Sequence, residues 1–383
     1  METNTMIVSK TLQTVFSRFQ PEITDELCHT LYEANEAARR SGVQLDPFYG
    51  QFQYQLGWVD AHFSPGANNT GKLLRPTLLL LAFEAVGADG HSMGEPAGTR
   101  HLRRALPAAA AIELTHNFSL IHDDIEDGDD ERRHRPTVWK IWGIPQAINT
   151  GSGMFSLARL ALWKVLEAGV DTVTIARLST LFDQACLRMI EGQYLDISFE
   201  DRLNISVSMY LDMIERKTAA LMGCAAEMGA LLGTDDQKMI DGFRRFGQAL
   251  GIAFQVRDDI LGVWASSQEL GKTPAGDLYR RKKSLPVLHA LHHANISDQE
   301  RLRAIYQQKE SLTEEQVEQV LAIFTRTQAQ EYCYSFLTQQ CKQVQEALAE
   351  IPRCLTSLSN TAFEDMSTIV HFLENSIFDL PPI

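Results

Sequence analysis

Apolar residues recur at three- and four-residue spacing through almost every long window of this chain, and the two-residue alternation of a half-buried strand is missing. LRPTLLLLAFEAVG, HLRRALPAAAAIELTHNFSLIHDDIED, ARLALWKVLEAG, SMYLDMIERKTAALMGCAAEMGALLG and MIDGFRRFGQALGIAFQVRDDILGVW carry that period and are rich in the helix formers Ala and Leu. Turn chemistry separates them at FSPGANNTG, VGADGHSMGEPAG, GTDDQK, GKTPAGDL and HHANISD. The pattern predicts an all-α protein. With 383 residues, 44% of them hydrophobic, the chain can bury a large core, and one large helical bundle accounts for it better than two domains. Residues 1–45, ending in RRSGVQLDP, read as an accessory helical hairpin, and residues 46–383 as the main domain.

Several function classes are excluded by composition. A net charge of −14 argues against a nucleic-acid groove or an anionic membrane surface as partner. The apolar runs TLLLLAF and PAAAAIEL stop well short of the roughly 20 residues that span a bilayer. Glu2 and the lack of a basic, then apolar, leader argue against a signal peptide. Cys28, Cys186, Cys224, Cys333, Cys341 and Cys354 lack CxxC or CxxH spacing, which argues against structural zinc or a disulfide framework. The expectation is a reduced, cytoplasmic protein.

Charge concentrates in two places. In FSLIHDDIEDGDDERRHRPT, acids come first and arginines follow, so the run is ordered rather than a mixed solvated face. On a helix, Asp123 and Asp127 stand at i and i+4, and two like charges at that spacing repel unless a cation lies between them. Carboxylate pairs of this kind hold Mg²⁺ beside phosphates, and the planar forks of Arg132 and Arg133 grip phosphate oxygens. The second place is QVRDDILGVW, where Asp258 and Asp259 end an apolar stretch and Lys272, Asp277, Arg280, Arg281, Lys282 and Lys283 follow. Acids followed by cations repeat the order of the first, so the simplest arrangement opposes two acidic faces across a cavity that holds a polyanion clamped by Mg²⁺. Taken alone, Lys72 and Arg75 are ordinary helix-start cations, His116 reads equally as a satisfied core histidine, and Gln193 could simply satisfy a buried contact. A rival reading comes from Glu26–His29, Glu113–His116 and Glu131–His134, each with the ExxH spacing of di-iron carboxylate bundles. It leaves the cationic runs without a role.

From about Thr70 to Asn375 the chain resembles the trans-isoprenyl diphosphate synthases, or polyprenyl synthetases. Asp123–Asp124–Ile125–Glu126–Asp127 with Arg132–Arg133 and Pro136–Thr137 is similar to the family's first aspartate-rich motif. GKLLRP, IELTHNFSLIHDD, GQYLD, RKT, FQVRDD, GK and RRKKSLP resemble its other signatures, in its order. The resemblance implies an isoprenoid synthase-like helical bundle around a deep central cavity. It implies Mg²⁺ as cofactor, three ions per active site, isopentenyl diphosphate and an allylic diphosphate as substrates, and a homodimer. It also implies residue roles. Asp123, Asp127 and Asp258 would be the principal Mg²⁺ ligands, with Asp124 and Asp259 in the metal site or just behind it. Arg132, Lys217, Lys272 and Lys282 would hold the allylic diphosphate; Lys72, Arg75, His116 and Arg133 would hold isopentenyl diphosphate away from metal. Thr218 and Gln255 would place oxygens near the allylic cation.

Two positions depart from the family pattern: Gly262 stands where many members carry a third aspartate, and Ser152 where members usually carry aspartate. A DDxxG form resembles that of some bacterial synthases making C20 chains, whereas Ser152 puts full activity more in doubt. Product length turns on Phe118, five residues before Asp123, and on Ser119, four before it. An aromatic at the fifth position with a small residue at the fourth resembles synthases that stop at C20, which makes geranylgeranyl diphosphate the expected product and C15 farnesyl diphosphate the runner-up. A terpene cyclase or a non-catalytic synthase subunit shares the fold, but the four residues of the second diphosphate pocket favour elongation.

Overall fold

The computed structural model describes residues 12–66, 71–87, 99–265, 275–308 and 310–375. Helix α1 spans Gln20–Arg40, α2 Asp46–Gln55, α3 Leu74–Ala85 and α4 Leu106–Glu126. A short hairpin, β1 (Glu131–Arg132) and β2 (Arg135–Pro136), leads into α5 (Val138–Trp142) and α6 (Ile144–Trp163). Then come α7 (Thr172–Glu200), α8 (Val207–Ile214), a π-helical turn (Glu215–Ala219), α9 (Ala220–Gly233) and α10 (Gln237–Trp264). The chain continues through α11 (Gly276–Tyr279), α12 (Leu285–His293), α13 (Ile296–Gln307), α14 (Glu314–Arg326), α15 (Ala329–Ala349) and α16 (Ser357–Asn375). The fold is all-α, with the two-residue strands of the hairpin as the exception among the described residues. None of the described helices is long and apolar enough to cross a membrane.

Contacts gather the chain into two compact units. The first comprises Met1–Asp183, Cys224–Arg244 and Pro352–Thr368. Its centre is α3, whose residues Leu78 to Ala82 have no exposed surface, so the helix is apolar all round rather than on one stripe. Beside it, Ala108 to Ala111 on α4 and Ala158 and Ala161 on α6 are equally buried. Such small residues let helix axes approach closely. Where a hairpin was expected at the N-terminus, a helical stretch over 12–17 meets α1 through a two-residue turn. Leu12, Val15, Phe19, Ile23, Leu27 and Leu31 form one buried face across that break. Arg18 adds an ion pair to Glu84, itself 2% exposed, and another to Asp365 at 2.5 Å.

The second unit comprises Gln184–Gly223, Arg245–Ile351 and Ile369–Ile383. Its π turn is gripped by two glycines. A Cβ on Gly192 would lie 2.5 Å from Lys217 Cα, and one on Gly251 2.6 Å from Ala219 Cα, so α7 and α10 touch the turn backbone to backbone. π turns of this kind are frequent at functional sites.

Candidate active site

In the first unit, α4 delivers the acids. The helix ends in a Schellman arrangement: Gly128 takes φ +67°, its N–H reaches Ile125 O at 3.3 Å, and Asp129 N–H reaches Asp124 O at 2.9 Å. Asp123 is therefore in the last turn and Asp127 caps it, one turn apart on one face, with Asp123 partly exposed and Asp127 exposed. Asp124 points the other way and is 1% exposed. Burial lifts its carboxyl to about 6, with Arg132 pulling against the rise. Arg132 Nε donates to Asp124 Oδ1 at 2.5 Å, and its Nη2 stands 3.4 Å from Asp123 Oδ2. Asp124 thus anchors the arginine, while Asp123, partly exposed, and Asp127, exposed, offer one turn apart the hard oxygen donors that Mg²⁺ takes.

Arg132 and Arg133 are carried by the hairpin. Arg132 pairs with Arg135, and the two residues of the turn, Arg133 and His134, hold φ of +54° and +61° without being glycine. Left-handed backbone costs such residues roughly 1–2 kcal/mol each. The hairpin is held by its stem: Arg135 Nη2 donates to Val59 O at 2.7 Å, Tyr54 OH to Pro136 O at 2.6 Å, and Thr137 Oγ1 to Asp129 O at 2.8 Å.

The strained turn delivers the Arg133 guanidinium against Gly71, where a Cβ would stand 2.9 Å from its Cζ. Gly71 opens GKLLRP, so Arg133 meets the segment that carries Lys72 and Arg75. Arg75 Nη1 lies 3.2 Å from His116 Nε2. Burial holds His116 well below the ordinary imidazole range, and the charges of Arg75, Arg133 and Arg132 push the same way, so the ring is neutral. Its Nε2 then accepts from Arg75 and its Nδ1 carries the proton. Arg75, His116 and Arg133 are thus brought together, with Lys72 on the same segment. Glu113, 3% exposed, completes the group: Asn117 Nδ2 donates to its Oε1 at 2.7 Å, burial raises its carboxyl, and Arg133 and Arg75 oppose the rise. Guanidinium groups beside Glu113 and His116 are the wrong environment for a di-iron centre. Phe118 is buried on α4, its ring 4.8 Å from Phe155 and 5.3 Å from His122. Ser119 Oγ is turned back to His116 O at 2.8 Å, and Ser152 is exposed.

In the second unit, α10 carries Asp258 exposed and Asp259 buried at 1%. Asp259 Oδ2 accepts from Tyr210 OH at 2.7 Å and from Leu285 N–H at 3.1 Å, and Oδ1 accepts from Gln255 Nε2 at 3.1 Å. Lys282 Nζ is 4.0 Å away. Burial raises the Asp259 carboxyl and Lys282 counters it. With both oxygens engaged by the protein, Asp259 is a scaffold for Gln255, whose Oε1 in turn accepts from Thr218 Oγ1 at 2.8 Å. Thr218 and Lys217 ride on the π turn, and Lys217 Nζ donates to Asp196 Oδ2 at 2.7 Å. Asp196 ends GQYLD, the segment of Gln193, whose Oε1 is buried. Lys283 is buried, its ammonium lowered to about 8 by burial and Arg281, and it donates to Glu200 O at 2.8 Å. Lys272 lies outside the described residues. Sequence reasoning missed Glu113's partners, Asp196 and Tyr210, because each acts through a residue distant in sequence.

The sequence pattern described as polyprenyl synthetase matches residues 57–324. A (2E,6E)-farnesyl diphosphate synthase of Mycobacterium tuberculosis is 40% identical over 256 residues, 67% of each chain. A geranylgeranyl diphosphate synthase of the same organism is 36% identical over 314 residues, 82% of this chain and 83% of its own. Among solved structures, a polyprenyl synthetase from Streptomyces coelicolor superposes with a TM-score of 0.78 at 32% identity, covering 96% of this chain and 99% of its own.

Proposed function

This chain belongs to the polyprenyl synthetase family and is a short-chain trans-prenyltransferase, and we propose that it condenses isopentenyl diphosphate with an allylic diphosphate to give mainly C20 geranylgeranyl diphosphate. The observation that carries the reading is the gathering of Arg75, His116 and Arg133 at the segment that carries Lys72. Isopentenyl diphosphate must be held without being ionised. A pocket of cations and a neutral imidazole N–H does that, because it binds the diphosphate oxygens without drawing the electron pair of the C–O bond as a metal would.

The allylic diphosphate must be ionised. Mg²⁺, when bound, supplies Lewis-acid stabilisation of the departing diphosphate. Asp123, Asp127 and Asp258 are the residues that would hold it, with three ions as the expected set. Arg132, Lys217, Lys272 and Lys282 add positive charge where the leaving group gathers negative charge. Arg132 has five N–H donors, so its bonds to Asp124 and Asp123 leave others for phosphate. Thr218 Oγ1 and Gln255 Oε1, aligned by Asp259, turn oxygen dipoles toward the cation without offering a strong nucleophile. The alkene of isopentenyl diphosphate attacks that cation, and loss of a proton leaves a chain one C5 unit longer.

A C15 product is the second reading, favoured by the 40% identity to a farnesyl diphosphate synthase. A homodimer is supported by exposed apolar residues in each unit, Ile144, Ile148, Leu160 and Trp163 in the first and Leu187, Ile190, Tyr194 and Ile197 in the second. Steady-state kinetics of Arg133→Ala and Lys72→Ala test the pocket. Both raise KM for isopentenyl diphosphate far more than KM for the allylic substrate; equal increases would show that these cations do not sort the two diphosphates.

A further inference from the structure

Arg133 reaches the Lys72 segment from a turn whose two residues both hold left-handed backbone, so its place depends on how the stem of the hairpin is fixed. Arg132, on β1, has a further anchor in Asp124. The other strand, β2, is fixed from α2 by one aromatic side chain. Tyr54, the last residue but one of that helix and 5% exposed, meets β2 in three ways. Its hydroxyl donates to Pro136 O at 2.6 Å, its backbone O accepts from Arg135 Nη1 at 3.2 Å, and its ring lies 3.9 Å from Arg135 Cζ, in a cation–π contact. Burial holds the phenol above its usual range, with Arg135 opposing, so the hydroxyl stays a donor. The other arm of Arg135 donates to Val59 O at 2.7 Å.

Tyr54 is itself braced. Trp142, at the end of α5, stands edge-on to its ring at 5.1 Å, and Phe63 stacks on Trp142 at 5.6 Å with the planes 8° apart. The loop that brings Phe63 is closed by Asp60, whose Oδ1 accepts from His62 N–H at 2.8 Å and Ser64 N–H at 2.9 Å. Phe63 lies so close over Gly50 that a Cβ there would stand 2.6 Å from its Cδ1. We propose that Tyr54 is a positioning residue for isopentenyl diphosphate: clamped in this way, it fixes β2 and thereby the Arg133 guanidinium at the segment of Gly71 and Lys72. Tyr54 lies before residue 57, where the matched family pattern begins. A residue outside the pattern then tunes a pocket built from the pattern's own motifs.

The inference rests on the reading of Arg133 as a ligand of isopentenyl diphosphate, and the experiment keeps the two apart. Binding of isopentenyl diphosphate to the full chain in EDTA, where nothing turns over, is titrated calorimetrically for the wild type, Tyr54→Phe, Arg133→Ala and the double variant Tyr54→Phe/Arg133→Ala. KM for each diphosphate and a thermal melt accompany each protein. Tyr54→Phe keeps the ring and loses only the hydroxyl. It is expected to weaken binding about 10-fold and to raise KM for isopentenyl diphosphate, with KM for the allylic substrate and the melt little changed. On Arg133→Ala the same substitution has no further effect, because residues that act through one another are not additive. Arg135→Lys, which gives up the forked grip on Tyr54 O and Val59 O, carries the same expectation should Tyr54→Phe fail to fold. Wild-type binding by Tyr54→Phe, equal rises in the two KM values, or the same loss with and without Arg133 overturns the proposal. A wild type that binds no isopentenyl diphosphate, or an Arg133→Ala protein that binds it as the wild type does, overturns the underlying functional reading and the proposal with it.

Discussion

Phe118 lies five residues before Asp123 on α4, about 7.5 Å along the axis at 1.5 Å per residue, and its ring is braced by Phe155. A braced ring at that depth would make a floor for a growing hydrocarbon tail, which is the role proposed for it. Phe118→Ala is predicted to lengthen the product beyond C20, and Ser119→Phe to shorten it toward C15, read by chromatographic sizing of dephosphorylated products. Unchanged distributions from both would place the floor on another helix. Glu227 makes a separate prediction about pH. Burial raises its carboxyl to about 7, with Arg244 opposing. The folded value lies above the unfolded one, so the stability linked to this group is present in full below the ordinary carboxylate range and is lost as pH rises through 7. Glu227→Gln is expected to gain on the order of 1 kcal/mol over the wild type at alkaline pH, a figure reduced for partial solvent screening, and to lose that advantage in acid. Urea unfolding at both pH values measures it. At this scale the i and i+4 acids were legible because the spacing alone fixes a face; that Asp259 is consumed by Tyr210 and Leu285 N–H was not, since those partners are 49 and 26 residues away.

The elements show the same division. The windows around α3, α4 and α10 announce helices by period, whereas the stop of α4 at Gly128 emerges only from its Schellman bonds. The hairpin was invisible because ERRHRP lacks the Asn-Gly or Asp-Gly that marks a two-residue turn. The π turn was invisible too: SMYLDMIERKTAALMG reads as unbroken helix, and the extra residue is absorbed by contact with Gly192 and Gly251 rather than by local sequence. That contact makes Gly192→Ala informative. Its Cβ would strike Lys217 Cα, a backbone atom that cannot step aside, so Lys217 and Thr218 shift together. An ångström of misplacement at a reacting site can cost about 100-fold, and kcat is predicted to fall by that order while helical circular dichroism is retained. An unaltered kcat would mean that the turn does not position the site.

Over the whole molecule, the all-α class and the order of the motifs follow from the sequence, whereas the division into two compact units does not, because it is set by contacts between segments remote in the chain. The N-terminal segment is the clearest instance. Its apolar face is buried and Arg18 neutralises the buried Glu84, so Arg18→Ala is predicted to cost about 3 kcal/mol, as expected when one partner of a buried ion pair is removed. Chemical denaturation gives the value, and a loss near zero would mean that the Arg18 ion pairs do not hold the N-terminal segment to the core. The central claim, elongation by one C5 unit at a time to C20, is tested most directly by incubating the protein with isopentenyl diphosphate, Mg²⁺ and each of the C5, C10 and C15 allylic diphosphates and sizing the products. The account predicts accumulation of the C20 diphosphate, and turnover lowered by orders of magnitude in Asp123→Ala, Asp127→Ala and Asp258→Ala with the fold intact; no elongation from any starter, or near-normal turnover in all three variants, would contradict it.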